Sequence, residues 1–164
     1  MARTDPKTPP TVRFYQLGIS SLEAAITGIL NKALAKNIRI TLLTPGEELT
    51  KYWDNLLWRS PHDSFLPHGP DNGPDPELQP LLIASQATDE NGATLLVMTT
   101  PHLLSNPEQF DMVVDFVDPS SSDALTASRS RYKKYMDLGC KLEYWIQSQD
   151  GRWSLKSQHP AAET

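Results

Sequence analysis

The most regular pattern in the sequence is a strand, a helix and a second strand near its start. Residues 12–17 are rich in β-branched and aromatic side chains, and residues 38–43 form a second run of this kind. Between them, apolar side chains recur every three or four residues over 22–36, which is the spacing of an amphipathic helix. The pattern predicts a βαβ unit whose two strands pair in parallel.

Further helices and strands are predicted after this unit. One helix is expected over residues 45–58 and another from within 119–123 to about 138, with Gly139 as its left-handed terminator. Asp150 and Gly151 predict a two-residue hairpin turn between strands at 141–147 and 152–156. Short apolar runs predict buried strands at 81–84, 93–98 and 111–117. The chain is therefore predicted to be α/β, with a Rossmann-like sheet and helices packed on both faces.

A single domain is expected to cover residues 12–156. Residues 1–11 contain three prolines and almost no large apolar side chain, so we expect a disordered arm. Residues 157–164 are predicted to be a flexible tail. The proline-rich segment 59–80 predicts a long loop, with one short extended piece at 64–66.

The formal net charge of −5 is unevenly distributed along the chain. Residues 1–43 hold six basic and two acidic side chains, residues 44–126 hold two and 14, and residues 127–156 hold seven and three. The acidic balance argues against a protein that coats nucleic acid non-specifically. The basic excess near the last helix instead favours an acidic partner.

Cysteine usage and hydropathy exclude several classes of protein. The single cysteine, Cys140, is insufficient for a disulfide framework or a thiolate zinc site within one chain. No apolar run approaches the roughly 18 residues of a membrane span, and residues 1–6 are not followed by the apolar segment of a signal peptide. We therefore expect a cytoplasmic protein that does not bind membranes.

Motifs of catalysis are absent from the sequence. The first strand-to-helix turn, residues 17–21, has one glycine, whereas a dinucleotide fingerprint has three and a P-loop needs Gly-Lys-Ser/Thr. The four histidines lack metal-binding spacing, and Asp111 and Asp115 are interpreted as bounding a strand rather than as Mg²⁺ ligands. We predict no catalytic residue, metal or cofactor. The alternative is a nucleotide-dependent enzyme of Rossmann-like fold.

Residues 58–68 are the first of two segments with an interface-like composition. Trp58 and Phe65 stand with Arg59 among prolines, which stiffen the backbone. Large rigid side chains and arginine dominate many protein interfaces. The alternative is that both rings fill the core.

The last helix is the second such segment. At about 100° per residue, Leu125, Tyr132 and Met136 form one stripe, bordered by Arg129 and Lys133, while Arg131 and Lys134 face elsewhere. The two cations suit a ligand that carries carboxylates beside an apolar anchor. The alternative is an ordinary core stripe whose cations reach out to solvent.

At these segments the sequence resembles the chi subunits of bacterial DNA polymerase III, which belong to the clamp-loader assembly. The matching stretches lie within residues 12–142 and follow the same order as in that family. They are residues 14–15, 57–59, 64–68, 113–117 and 129–135, with Gly139 after the last. The proline-rich arm and the region after Gly139 depart from the family pattern.

The resemblance implies an accessory subunit, without activity of its own, of a DNA-directed DNA polymerase holoenzyme, which is a nucleotidyltransferase. Chi proteins link the clamp loader, through the psi subunit, to single-stranded DNA-binding protein (SSB), whose acidic C-terminal tail ends in phenylalanine and its free carboxylate. By positional match, Arg129, Tyr132 and Lys133 are expected to bind the SSB tail, and Trp58 and Phe65 to contact psi or another partner. Little direct nucleic-acid binding is expected, and direct single-stranded DNA binding is a further alternative.

Overall fold

The computed structural model describes residues 9–59 and 68–160 as an eight-stranded sheet with three α-helices. The helices are α1 (Leu22–Ala35), α2 (Glu47–Trp58) and α3 (Ser122–Asp137). The strands are β1 (Thr11–Gln16), β2 (Ile40–Leu43), β3 (His68–Pro70), β4 (Leu81–Ala84), β5 (Leu95–Met98), β6 (Met112–Val117), β7 (Lys141–Gln147) and β8 (Trp153–His159). Single 3-10 turns lie at Pro76–Leu78 and Pro107–Gln109.

The strand order is β3-β4-β2-β5-β6-β1-β7-β8, and every pair is parallel except β7 with β8. The two predicted strands are parallel and joined by α1, but the prediction that they pair with each other is wrong, because β5 and β6 lie between them. The side chains of β5 and β6 are almost all buried, on both faces of these strands. Such strands are buried best at the centre of a sheet that is covered on both sides.

Helices cover both faces of the sheet, as predicted. One core cluster contains residues of α1 and α2 and includes Tyr15, Ile26 and Trp53. The other contains α3 and the connection from β5 to β6, and includes Phe14, Phe110 and Tyr135. Because side chains alternate along a strand, the neighbours Phe14 and Tyr15 belong to opposite faces.

The C-terminal hairpin differs from its prediction in the length of its turn and in the length of its second strand. The amide of Ser148 donates to the carbonyl of Arg152 over 2.8 Å, so three residues form the turn, and Gly151 has a φ of 87°. The third turn residue takes a left-handed conformation, as is common in three-residue hairpin loops. The predicted flexible tail is wrong for residues 157–159, which belong to β8. The side chains of β8 show no regular alternation of apolar and polar residues, because β8 is an edge strand that is held by main-chain pairing with β7.

The segment 59–80 also contains an element that the sequence did not predict. Residues 68–70 form the short edge strand β3, which pairs in parallel with β4. The extended piece predicted at 64–66 lies outside the described residues, as does most of the N-terminal arm. None of the helices in residues 9–59 and 68–160 is long and apolar enough to cross a membrane.

Candidate protein-binding surfaces

The third helix has well-defined ends. The Ser121 hydroxyl accepts a hydrogen bond from the amide of Ala124 over 3.1 Å, and Asp123 places a negative charge at the positive end of the helix dipole. Gly139 has a φ of 87°, which confirms the predicted left-handed terminator. The register of the helix, and hence which side chains face solvent, is fixed by its packing on the sheet.

The inward side of α3 is held by a buried ion pair. Arg131 Nε lies 2.7 Å from Asp115 Oδ2, and its Nη2 lies 3.0 Å from Asp115 Oδ1, so the contact is bidentate. Arg131 is 8% exposed and Asp115 is fully buried. Burial raises the pKa of Asp115, and Arg131 opposes that effect. The interpretation of Asp115 as bounding a strand was wrong: it lies within β6, as the partner that turns Arg131 inward.

Three neighbouring strands build an aromatic platform under α3. Register sets Phe14 of β1 opposite Asp115 of β6 on one side and Tyr144 of β7 on the other. The Phe14 ring is fully buried, with its centroid 5.5 Å from that of Tyr132 and 6.2 Å from that of Tyr144. Tyr132 and Tyr144 are both half-buried. The two tyrosines are therefore partly exposed while each packs against the buried Phe14 ring.

Tyr135 lies deeper in the same cluster and holds a loop. Its side chain is fully buried, and its hydroxyl accepts a hydrogen bond from the amide of Leu104 over 2.9 Å. Burial raises its pKa to about 12. This side chain therefore ties α3 to the connection from β5 to β6 and is not available to a partner.

The predicted pair of cations lies on the outer side of α3. Arg129 and Lys133 are exposed and separated by one helical turn, so they are neighbours on the surface. Tyr132 lies beside them, and Leu125 and Met136 are partly buried against the core. The stripe is thus both a core contact and the border of a cationic surface. We call Arg129, Tyr132 and Lys133 the α3 surface; it can pair carboxylates beside an aromatic edge.

Sequence reasoning missed two residues next to the α3 surface. The Tyr144 hydroxyl donates a hydrogen bond to Gln16 Oε1 over 2.7 Å. Burial raises the pKa of Tyr144, and the positive charge of Arg129 opposes that effect. Two strands that are remote in sequence, β1 and β7, supply this pair, and no local pattern predicts their meeting.

The second predicted surface lies at the end of α2. Trp58 is 56% exposed, and its ring centroid is 4.4 Å from that of His68. His68 is buried on β3, with Nε2 at 3.2 Å from Asp54 Oδ1. Trp53, by contrast, is 3% exposed, so α2 sends one tryptophan into the core and one to the surface. Phe65 lies outside the described residues.

The first strand-to-helix turn was the candidate site for a nucleotide. The amides of Gly18 and Ser20 donate to Gln147 Oε1 over 3.1 and 3.0 Å, and Gln147 Nε2 donates to the Ser20 hydroxyl over 2.8 Å. A side chain at Gly18 would meet the Gln147 carbonyl oxygen at 2.6 Å. The backbone donors that a phosphate would use are therefore bound by the C-terminal hairpin.

A cleft of about 560 Å³ lies at the carboxyl ends of β2, β4 and β5. Ligands of open α/β sheets often bind at such positions. Among the described residues that line it, His102 is the one titratable side chain, and none is a lysine or arginine. Within the part of the chain that the structure describes, no three His, Cys, Asp or Glu side chains come together as a metal site requires.

These features define a class of protein: a largely parallel α/β domain with a cation-bordered aromatic surface on one helix and an exposed tryptophan at the end of another. The model of the family described as DNA polymerase III chi subunit, HolC, matches residues 10–143. The match covers most of the chain, and the protein belongs to the DNA polymerase III chi subunit family. The resemblance inferred from the sequence is thereby confirmed, together with an association with DNA replication.

Two relatives have the same family name. The protein of Rickettsia prowazekii (strain Madrid E), "Probable DNA polymerase III subunit chi", is 29% identical over 77 residues, which are 47% of each chain. "DNA polymerase III subunit chi" of Escherichia coli (strain K12) is 28% identical over 131 residues, which are 76% of this chain and 85% of the relative. This chain therefore aligns with about half the length of the first relative and with most of the second.

Proposed function

We propose that this protein is a non-catalytic accessory subunit that links the clamp loader, through psi, to SSB. In this role Arg129, Tyr132 and Lys133 bind the acidic C-terminal tail of SSB. The observation that carries the proposal is the α3 surface itself: two exposed cations one turn apart, beside a half-buried ring. A tail that ends in phenylalanine and a free carboxylate has the complementary chemistry, because its acids pair with the cations while its ring packs against the tyrosine.

A separate surface at the end of α2 supports the proposal of a second partner. Trp58 leaves more than half of its side chain in water, although it follows the buried Leu57 directly. Its ring rests on His68, so it is held in place rather than free to fold back. Exposed, immobilised tryptophans are frequent anchors of protein interfaces. We assign this surface, with Phe65, to psi or another protein partner.

The alternative of a nucleotide-dependent enzyme has less support. The amides of Gly18 and Ser20 are bound to Gln147. The described residues that line the cleft at the carboxyl edge of the sheet include no lysine or arginine, the side chains that bind phosphate groups. Direct binding of single-stranded DNA also has less support, because the single ring of the α3 surface, Tyr132, is partly buried against the core and tilted at 45° to Phe14, so it does not form an open stacking platform.

Calorimetric titration with an SSB tail peptide tests the proposal. Lys133→Glu is expected to weaken binding by roughly 1 to 3 kcal/mol, the scale of a charge-assisted contact, because it reverses one of the two cations. Lys134→Glu is the matched control: it makes the same charge change at an exposed position on a different side of α3. Affinity should also fall as salt rises.

Two results would contradict the assignment. Equal affinities of the Lys133→Glu variant and the unaltered protein would show that α3 is not the binding surface. Equal losses for Lys133→Glu and Lys134→Glu would indicate general charge attraction without a defined site.

A further inference from the structure

Tyr144 links three elements that meet beside the α3 surface. It lies on β7, its ring stacks on Phe14 of β1 at an interplanar angle of 15°, and its hydroxyl reaches Gln16 at the end of β1. Phe14 also packs against Tyr132 of α3, with ring centroids 5.5 Å apart. Tyr144 is thus connected to β1 directly and to α3 through the Phe14 ring, at the edge of the proposed binding surface.

The hydrogen bond determines which end of Gln16 is available. Because Tyr144 donates to Oε1, the carboxamide oxygen is turned towards the phenol. Within residues 9–59 and 68–160, Gln16 Nε2 has no hydrogen-bond partner, and the side chain is only half-buried. Gln16 therefore keeps an N–H donor that an incoming group can use.

Arg129 supplies a second donor on the same face of the sheet. It precedes Tyr132 by three positions on α3, and the rings of Tyr132 and Tyr144 both pack against Phe14, which shares a face of β1 with Gln16. A guanidinium and a carboxamide N–H on one face are suited to a planar acceptor with two oxygens. A carboxylate is such an acceptor.

We propose that Tyr144 is a positioning residue that holds Gln16, so that its carboxamide N–H and the cation of Arg129 can together bind the terminal carboxylate of an acidic peptide. The inference rests on the proposed function and adds to it the residues that bind the C-terminal carboxylate of the ligand. Tyr144 is the first residue beyond the region matched by the family model, which ends at 143. The C-terminal hairpin of this chain thus contributes to the surface on α3.

The test compares two peptides by calorimetry. Both carry the sequence of the acidic SSB tail, but one ends in a free carboxylate and the other in a C-terminal amide. The unaltered protein should prefer the free carboxylate by about tenfold, which corresponds to roughly 1.4 kcal/mol. Tyr144→Phe keeps the ring on Phe14 and removes only the hydroxyl. It should reduce that preference to threefold or less, while affinity for the amidated peptide stays the same.

A second variant and a control accompany this comparison. Gln16→Ala removes the carboxamide donor without touching the phenol, and should reduce the preference for the free carboxylate in the same way. Tyr52→Phe removes another tyrosine hydroxyl, one that donates to Glu23 on the opposite side of the sheet, and should leave the preference unchanged. Thermal unfolding of each variant reports whether the fold is intact.

The outcomes separate the two proposals. If the unaltered protein binds neither peptide, the proposed function is wrong and this inference is wrong with it. If the unaltered protein binds, but Tyr144→Phe and Gln16→Ala lower affinity for both peptides by equal factors, Tyr144 has a structural role alone. An unchanged preference for the free carboxylate in both variants would also overturn the inference.

Discussion

Two arginines on α3, separated by a single residue, have opposite environments. Arg131 is 8% exposed and makes a bidentate contact with the buried carboxylate of Asp115. Arg129 is exposed and borders the half-buried ring of Tyr132. The charge of Arg131 therefore holds the helix to the sheet, whereas the charge of Arg129 is exposed to solvent. The same residue type supports the fold at one position and, in the proposed function, binds a partner at the other.

The other side chains of α3 are divided in the same way between a buried and an exposed side. Ser128, Arg131 and Tyr135 recur at intervals of three and four residues and are all buried. Arg129 and Lys133 follow the same interval on the exposed side. Substitutions on the inner side should lower the free energy of unfolding, whereas those on the outer side should lower affinity and leave stability unchanged.

The largest loss of stability is expected from Arg131→Met. The substitution retains much of the side-chain volume but leaves the Asp115 carboxylate buried without its cation, which costs roughly 3 to 5 kcal/mol. Urea unfolding at neutral pH measures this loss. Burial already raises the pKa of Asp115, and without Arg131 nothing opposes that rise. Protonation of the folded variant should therefore restore stability as the pH falls, so the deficit is smallest in acid.

The double variant Arg131→Met, Asp115→Asn provides the control. It removes both charges, so it should be more stable than Arg131→Met alone at neutral pH, and its deficit should vary less with pH. A deficit of Arg131→Met that is below about 1 kcal/mol and independent of pH would mean that the ion pair does not hold α3.

A smaller effect is expected at Tyr135 in alkaline solution. Its pKa is raised to about 12, above the unfolded value of 10.0, so its contribution is fully present below pH 10 and is lost as the pH rises through 12. That loss amounts to roughly 2 to 3 kcal/mol. Tyr135→Phe lacks the titrating group, so the difference in stability between it and the unaltered protein should shrink over this range. Denaturant unfolding between pH 9 and 12 measures the difference; a constant value would contradict the assigned burial.

The sequence predicts the parts of this arrangement that depend on residues close together along the chain, but not those that depend on residues far apart. The approximate helix bounds and the outward cations follow from local periodicity, and the left-handed Gly139 follows from the preference of helix ends for glycine. The structure agrees with all three. Local periodicity also placed Arg131 on a different side of α3 from the stripe of Leu125, Tyr132 and Met136, and the structure agrees. It did not show that this direction points into the sheet, because the partner Asp115 is on another strand and its burial depends on the whole sheet.

Strand neighbours are another limit of prediction from sequence. Nothing near β1 indicates that β6 and β7 flank it, yet this order is what brings Asp115, Phe14 and Tyr144 into one row. Gln147 is a similar case: its carboxamide binds the turn after Gly18 across more than 120 positions of sequence. The sequence of that turn lacks a phosphate-loop motif, and the structure shows that its amides donate hydrogen bonds to Gln147 instead.

The smallest effect on stability, and the sharpest test of the division, is expected from Arg129→Gln. The exposed guanidinium makes no hydrogen bond or ion pair within residues 9–59 and 68–160, so the free energy of unfolding should change by less than about 0.5 kcal/mol. Affinity for the SSB tail peptide should nevertheless fall about five- to tenfold, because a charge-assisted contact is lost. Arg131→Met should show the reverse pattern under conditions where it remains folded, with near-normal affinity despite its low stability. If Arg129→Gln instead lowers stability as much as affinity, the outer side of α3 also supports the fold, and the division between the two arginines fails.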